Sequence, residues 1–111
     1  MRIAISYPPI VNSRGQKAMV SQNRNVQFFQ KPTYLLPVIH AQAATALRDS
    51  GHDVYWDDGN SQLKSFGQWF SDLVAWKPEI VVFESTTPVM NFYWETARQL
   101  RASLPTAVFV M

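Results

Sequence analysis

The stretch KPEIVVFESTTP, from Lys77 to Pro88, decides the fold. Proline cannot continue a helix, so Pro78 closes the segment before it. Ile80-Val81-Val82-Phe83 is then the most strongly β-branched run in the chain. A continuous apolar run of this length suits a strand buried on both faces, as parallel sheets require. Ser85-Thr86-Thr87-Pro88 breaks the run, and hydroxyls ahead of a first-turn proline read as a helix start.

Working outward, the same strand-helix alternation extends to both ends. Upstream, Leu63, Phe66, Phe70, Leu73 and Val74 give a helical stripe, with Ser61 as its candidate cap. Before it, Asp53 to Asp57 is a short strand that ends in Asp58-Gly59-Asn60 turn chemistry. Leu36, Ile39, Ala43, Ala46 and Leu47 recur at three- and four-residue steps, which predicts a helix near Leu36 to Ser50 with Gly51 as its C′ residue. Ile3-Ala4-Ile5 is a first strand, stopped at Tyr7-Pro8-Pro9. Downstream, Tyr93, Ala97, Leu100 and Leu104 form a third helical stripe ending at Pro105, and Ala107 to Met111 is a fourth strand.

The segment from Ile10 to Lys31 carries Arg14, Lys17, Arg24 and Lys31 and no acidic residue. It shows no clear helical or alternating period and reads as a long loop over residues 10–33, mobile or ordered by a partner. Loops above about 12–15 residues in compact domains are usually functional or disordered.

Strands alternating with helices imply right-handed crossovers and a parallel sheet. The expected fold is α/β: a flavodoxin-like, Rossmann-like open sheet in three α/β/α layers, with strand order 2-1-3-4. The 111 residues make one domain. In such sheets ligands bind beyond the carboxyl ends of the strands, at the topological switch point. Three segments reach that edge: Tyr7-Pro8-Pro9 with its loop, Asp57-Asp58-Gly59, and Ser85-Thr86-Thr87-Pro88.

Composition narrows the chemistry. The formal charge is +2 with the basic residues scattered, so nucleic acid is not the favoured partner. The chain has no cysteine, which removes disulfides, thiolate metal sites, cysteine nucleophiles and iron–sulfur ligation from it. No signal-peptide core follows Met1 and no apolar run approaches a membrane span, so a cytoplasmic location is expected. Strand one is not followed by G-x-G-x-x-G or a P-loop, which argues against NAD and ATP. A phosphoacceptor receiver needs acidic residues where Tyr7-Pro8-Pro9 stands and an aspartate at the end of strand three, where Glu84-Ser85 stands.

Ser85, Thr86 and Thr87 place three hydroxyls just before a helix whose first N–H groups lack partners. Such hydroxyls cap the helix or bind a ligand. His40 and His52 are the only imidazoles, and a lone histidine on a helix is more often packed or solvated than a ligand. Asp57 and Asp58 suit an acid–base or metal pair, or simply a turn before Gly59-Asn60. Trp56, Trp69, Trp76 and Trp94 fit core or interface positions.

PVIHAQAATALRDSGH, Pro37 to His52, followed by Asp53-Val54-Tyr55-Trp56-Asp57, resembles the helix-one and strand-two signature of cobalamin-binding domains in radical-SAM enzymes. The Lys77 to Pro88 stretch, Asn91 inside the next helix and the opening Tyr7-Pro8-Pro9 extend the resemblance over nearly the whole chain outside the loop. It implies a corrinoid partner and, as cofactor-binding positions, Tyr7, Pro8, Pro9, Asp57, Ser85, Thr86, Thr87, Pro88 and Asn91, with the hydroxyls of Ser85, Thr86 and Thr87 near the nucleotide tail. The D-x-H-x-x-G histidine of methionine-synthase-like domains falls at Leu36 and its glycine at Ile39. The resemblance therefore implies base-off cobalamin with no protein imidazole on cobalt, although His40 lies one turn away. The family continues past strand four with a Gly-Gly turn, further elements and a radical-SAM domain with its C-x-x-x-C-x-x-C motif. The chain is thus expected to be a C-terminally truncated, non-catalytic module of a methyltransferase or cyclase, with S-adenosylmethionine and the iron–sulfur cluster held by the remainder. Strand four would present an open edge on which two copies pair. Two other readings stand: a domain of the same fold that serves interaction or structure and binds no cobalamin, and a small hydrolase or transferase using Asp57, Asp58 and His40. The latter lacks an identifiable nucleophile–base pair.

Overall fold

A computed structural model describes residues 1–20, 26–31 and 36–111. Its elements are β1 (Arg2–Tyr7), β2 (Lys17–Val20), β3 (Val26–Phe29), α1 (Val38–Asp49), β4 (Asp53–Asp58), α2 (Phe66–Trp76), β5 (Ile80–Phe83), a 3-10 turn (Thr87–Val89), α3 (Met90–Ser103) and β6 (Val108–Val110). Four parallel strands lie in the order β4-β1-β5-β6. This is the expected 2-1-3-4 order of an open flavodoxin-like sheet, renumbered because β2 and β3 intervene.

The register sorts the side chains onto two faces. Ala4 pairs with Tyr55 and Val81, and Ser6 with Asp57 and Phe83. These residues face α2 and α3, whose Trp69, Leu73, Tyr93, Ala97 and Leu100 complete the main core with Ala4, Val81 and Phe83. The alternate residues Ile3, Ile5, Tyr7 and Trp56 face α1. Tyr7 packs against Trp56 at 5.7 Å and edge-on against His40 of α1 at 6.0 Å. This second layer is incomplete. Ile3 and Ile5 are buried, but on the same face Val108 is 56% and Val110 46% exposed.

Local chemistry explains the boundaries. Gly51 takes a φ of +89° and donates to Arg48 O, while His52 donates to Leu47 O, so the expected C′ glycine does end α1. The cap of α2 is Ser65, not Ser61: the Ser65 hydroxyl accepts from the Gln68 N–H at 3.1 Å. Ser61 instead belongs to a turn in which Asp58 Oδ1 accepts from the Asn60 and Ser61 N–H groups. Lys77 closes α2 in the left-handed region, just ahead of Pro78.

The loop expected over residues 10–33 needs correction. Lys17–Val20 and Val26–Phe29 form an antiparallel two-stranded sheet, extended by a bridge from Val11 to Lys17. Its near end is built by Asn12, whose Oδ1 accepts from the Arg14 and Gln16 N–H groups. Ala18 is buried in the main core and donates its N–H to Ile10 O. Four-residue strands are too short to show an alternating pattern within a polar segment. Residues 21–25 and 32–33 of that expected loop lie outside the described residues. Among the described residues no helix is long and apolar enough to cross a membrane.

Candidate functional site

The chain runs from β1 to β4 on one side and through β5 to β6 on the other, so the switch point lies between the carboxyl ends of β1 and β5. A cavity of about 480 Å³ opens there, lined by Phe83, Glu84, Ser85, Thr86, Thr87 and Met90, with Ile39, His40 and Met111 across from them. A volume of this order takes a nucleotide- or drug-sized group.

Each polar wall residue is placed by an element end. Glu84 follows the last residue of β5, and Tyr7 ends β1 beside it. The Tyr7 hydroxyl donates to Glu84 Oε2 at 2.9 Å. Burial, reinforced by the Glu84 carboxylate, pushes the Tyr7 phenol far above its ordinary value, so it remains a donor. His40, in the first turn of α1, brings Nδ1 to 3.4 Å from the same oxygen. Both contacts fall on Oε2, and among the described residues no hydrogen bond reaches Oε1. Ser85 is half-buried, Thr86 buried and Thr87 exposed as the chain turns into the 3-10 turn. Among the described residues no side chain caps that turn.

Of the residues expected at a ligand site, Ser85, Thr86 and Thr87 therefore come together in one cavity. Tyr7 stands behind it as the support of Glu84. Pro8 and Pro9 are buried in the packing of the edge loops. Pro9 also lines a separate cavity with Lys17, Lys64 and Phe92. Pro88 and Asn91 are exposed, and neither lines the cavity of Ser85.

Asp57 is fully buried on the α2 face of the sheet. Its Oδ2 accepts from the Ser6 hydroxyl at 3.0 Å, and that hydroxyl accepts from the Trp69 indole N–H at 2.9 Å. Its Oδ1 accepts from Lys64 Nζ at 3.2 Å, and Lys64 also reaches Asp72 Oδ2 at 2.8 Å. Burial raises the Asp57 carboxyl above its ordinary range despite these donors. For Lys64 burial pulls downward, but the bonds to Asp72 and Asp57 prevail and hold the ammonium above its ordinary value. Asp57 and Asp58 thus serve a core network and a turn rather than one acid–base pair.

Sequence reading missed Glu84 and set His40 aside. The available signal for Glu84 was its place: a carboxylate directly after the apolar run Ile80-Val81-Val82-Phe83, with three hydroxyls following. The chemical capacity of the site is recognition, combining a carboxylate, an imidazole and hydroxyls around an apolar floor. Among the described residues no group of three or more histidine, aspartate and glutamate side chains is placed to hold a metal ion. No protein-family model, no curated protein and no solved structure matches the chain.

Proposed function

We propose that this domain is the cobalamin-binding module of a larger cytoplasmic radical-SAM enzyme of methyltransferase or cyclase type, and that it does no catalysis alone. The observation that carries the reading is the cavity of about 480 Å³ at the switch point, lined by Ser85, Thr86 and Thr87. These are the hydroxyls that the resemblance assigns to the nucleotide tail, and the volume suits a group of that size. In this reading Ser85, Thr86 and Thr87 would hold the tail, and Ile39 and Met111 would offer the corrin apolar contact. When bound, the cofactor supplies a cobalt-centred methyl or electron carrier. S-adenosylmethionine and the cluster belong to the remainder of the parent chain.

Hydroxocobalamin added to the protein is expected to co-migrate in gel filtration and to change its visible spectrum to the base-off form. Ser85→Trp fills the cavity and abolishes both effects while leaving the far-ultraviolet circular dichroism intact. A spectrum and mobility unchanged by the wild-type protein overturn the cobalamin reading.

A second reading has its own support. Leu36, Val38 and Ile39 at the start of α1, with Val108, Val110 and Met111 at β6, are exposed large apolar side chains. Apolar surface gathered in this way marks interaction sites. A structural or docking domain of the same fold, without cobalamin, accounts for it. Self-association in the absence of hydroxocobalamin binding favours that reading.

A further inference from the structure

Glu84 differs from the other wall residues in how it is held. Its side chain is only 10% exposed, its Oε2 is taken by Tyr7 and His40, and its Oε1 receives no hydrogen bond among the described residues. That oxygen is not sealed off from solvent, unlike Asn60 Oδ1, which is buried and unpartnered. Tyr7 and His40 share Oε2, which leaves Oε1 as the oxygen of this cavity-lining carboxylate open to a further hydrogen bond. An ionised carboxylate only accepts hydrogen bonds. Among the described residues no lysine or arginine lines this cavity, so a phosphate or carboxylate placed against Glu84 would meet a like charge there.

We propose that the cavity selects a ligand presenting an N–H donor, a primary amide or an amidinium-like cation, to Glu84 Oε1, and that it rejects anionic groups at that point. This rests on the reading that the cavity is a ligand site and adds the chemical class of the group recognised. A corrinoid meets the requirement through the primary amides around its ring rather than through its phosphate. Ser85 and Thr87, which accept as well as donate, form a rim indifferent to the ligand's charge, so Glu84 sets the preference. Its removal should therefore change which ligands bind more than whether the domain folds.

The test uses the full chain and small probes, read by the amide resonances of Ser85, Thr86 and Thr87 and the ring resonances of His40. Acetamidinium and acetamide are expected to shift these signals saturably, with acetate and inorganic phosphate at least about tenfold weaker, the scale of one hydrogen bond to a charged group. Glu84→Gln, which keeps the shape but removes the charge, should weaken acetamidinium by a similar factor and bring acetamidinium and acetate close together. Equal response to acetate and acetamidinium, no response to any probe, or undiminished acetamidinium binding in Glu84→Gln each overturns the proposal. Binding of acetamidinium without binding of hydroxocobalamin leaves the donor preference standing and removes the corrinoid. Binding of hydroxocobalamin with equal affinity by wild type and Glu84→Gln does the reverse.

Discussion

The indole N–H of Trp69 donates to the hydroxyl of Ser6 across 2.9 Å, tying α2 to the central strand by a bond between two fully buried side chains. Ser6 passes the polarity on to Asp57, so one small hydroxyl satisfies a donor and an acceptor at once. Ser6→Ala leaves both the indole and one carboxylate oxygen without that partner. Unsatisfied buried polar groups cost about 1–3 kcal/mol, and the variant should lose stability in that range. Urea unfolding with an unchanged slope checks it, and a loss well below 1 kcal/mol contradicts the account.

The same network sets a pH dependence. Asp57 holds its proton more firmly in the folded protein than its ordinary value of 3.8, chiefly because it is buried. Its contribution to stability is therefore greatest below that value and declines as pH rises through the folded value. Asp72, whose carboxyl is lowered by Lys64, has the opposite sign: its contribution is present above 3.8 and is lost as pH falls through its folded value. Urea midpoints taken from roughly pH 3 to pH 7, a span around the carboxylate range, should show Asp57→Asn gaining on wild type as pH rises, and Asp72→Asn falling behind. Parallel curves for all three proteins contradict the assignment.

Gly59 and Gly67 offer a paired test of packing at the carboxyl edge. A Cβ on Gly59 lies 2.9 Å from both Pro9 Cδ and Tyr7 O, so the β4 and β1 ends must separate to accept it. A Cβ on Gly67 meets nothing within 4 Å. Gly59→Ala should lose about 1–3 kcal/mol through overpacking, whereas Gly67→Ala, inside α2, should be neutral or gain up to about 1 kcal/mol. Thermal melts of the two variants compare them directly, and equal melting temperatures contradict the expectation.

The proposed pairing of two chains along β6 has a specific opponent. Arg101 donates to the carbonyls of Pro105 and Ala107 at 3.1 and 2.6 Å, and its guanidinium lies 4.7 Å from the centre of the Phe109 ring. A cation placed over an edge strand blunts its tendency to pair. Arg101→Ala should therefore shift the protein toward dimers or larger species in light scattering at equal concentration. A variant no more associated than wild type contradicts a guarding role.

The parallel sheet was legible because Ile80-Val81-Val82-Phe83 and the helical stripes around it are long, apolar and periodic, and burial rewards both properties. The hairpin was not, since among the described residues Ala18 is the buried anchor of two short strands inside a basic, polar segment. Ser61 looked like a cap for the helix at Leu63, yet Leu63 takes a left-handed conformation and α2 begins after Ser65. The site was half legible. Ser85, Thr86 and Thr87 could be placed by counting from the strand, whereas the conjunction of Tyr7, His40 and Glu84 joins three elements that only the crossover geometry brings together. Asp57 had the right strand end but the wrong face, a distinction decided by the register of β4 against β1.

Helix α1 has no buried residue, while α2 and α3 both sink aromatic and aliphatic side chains into the core. Lifting α1 away would therefore uncover Ile3, Ile5 and Tyr7 of the sheet without drawing any buried side chain of its own out of the main core. His40 and Ile39 travel with it, so one wall of the switch-point cavity is carried on a helix that adds no side chain to the main core. The cavity and the main core thus depend on different elements: α1 carries part of the one, while Trp69, Tyr93 and Leu100 hold the other together beneath the opposite face of the sheet.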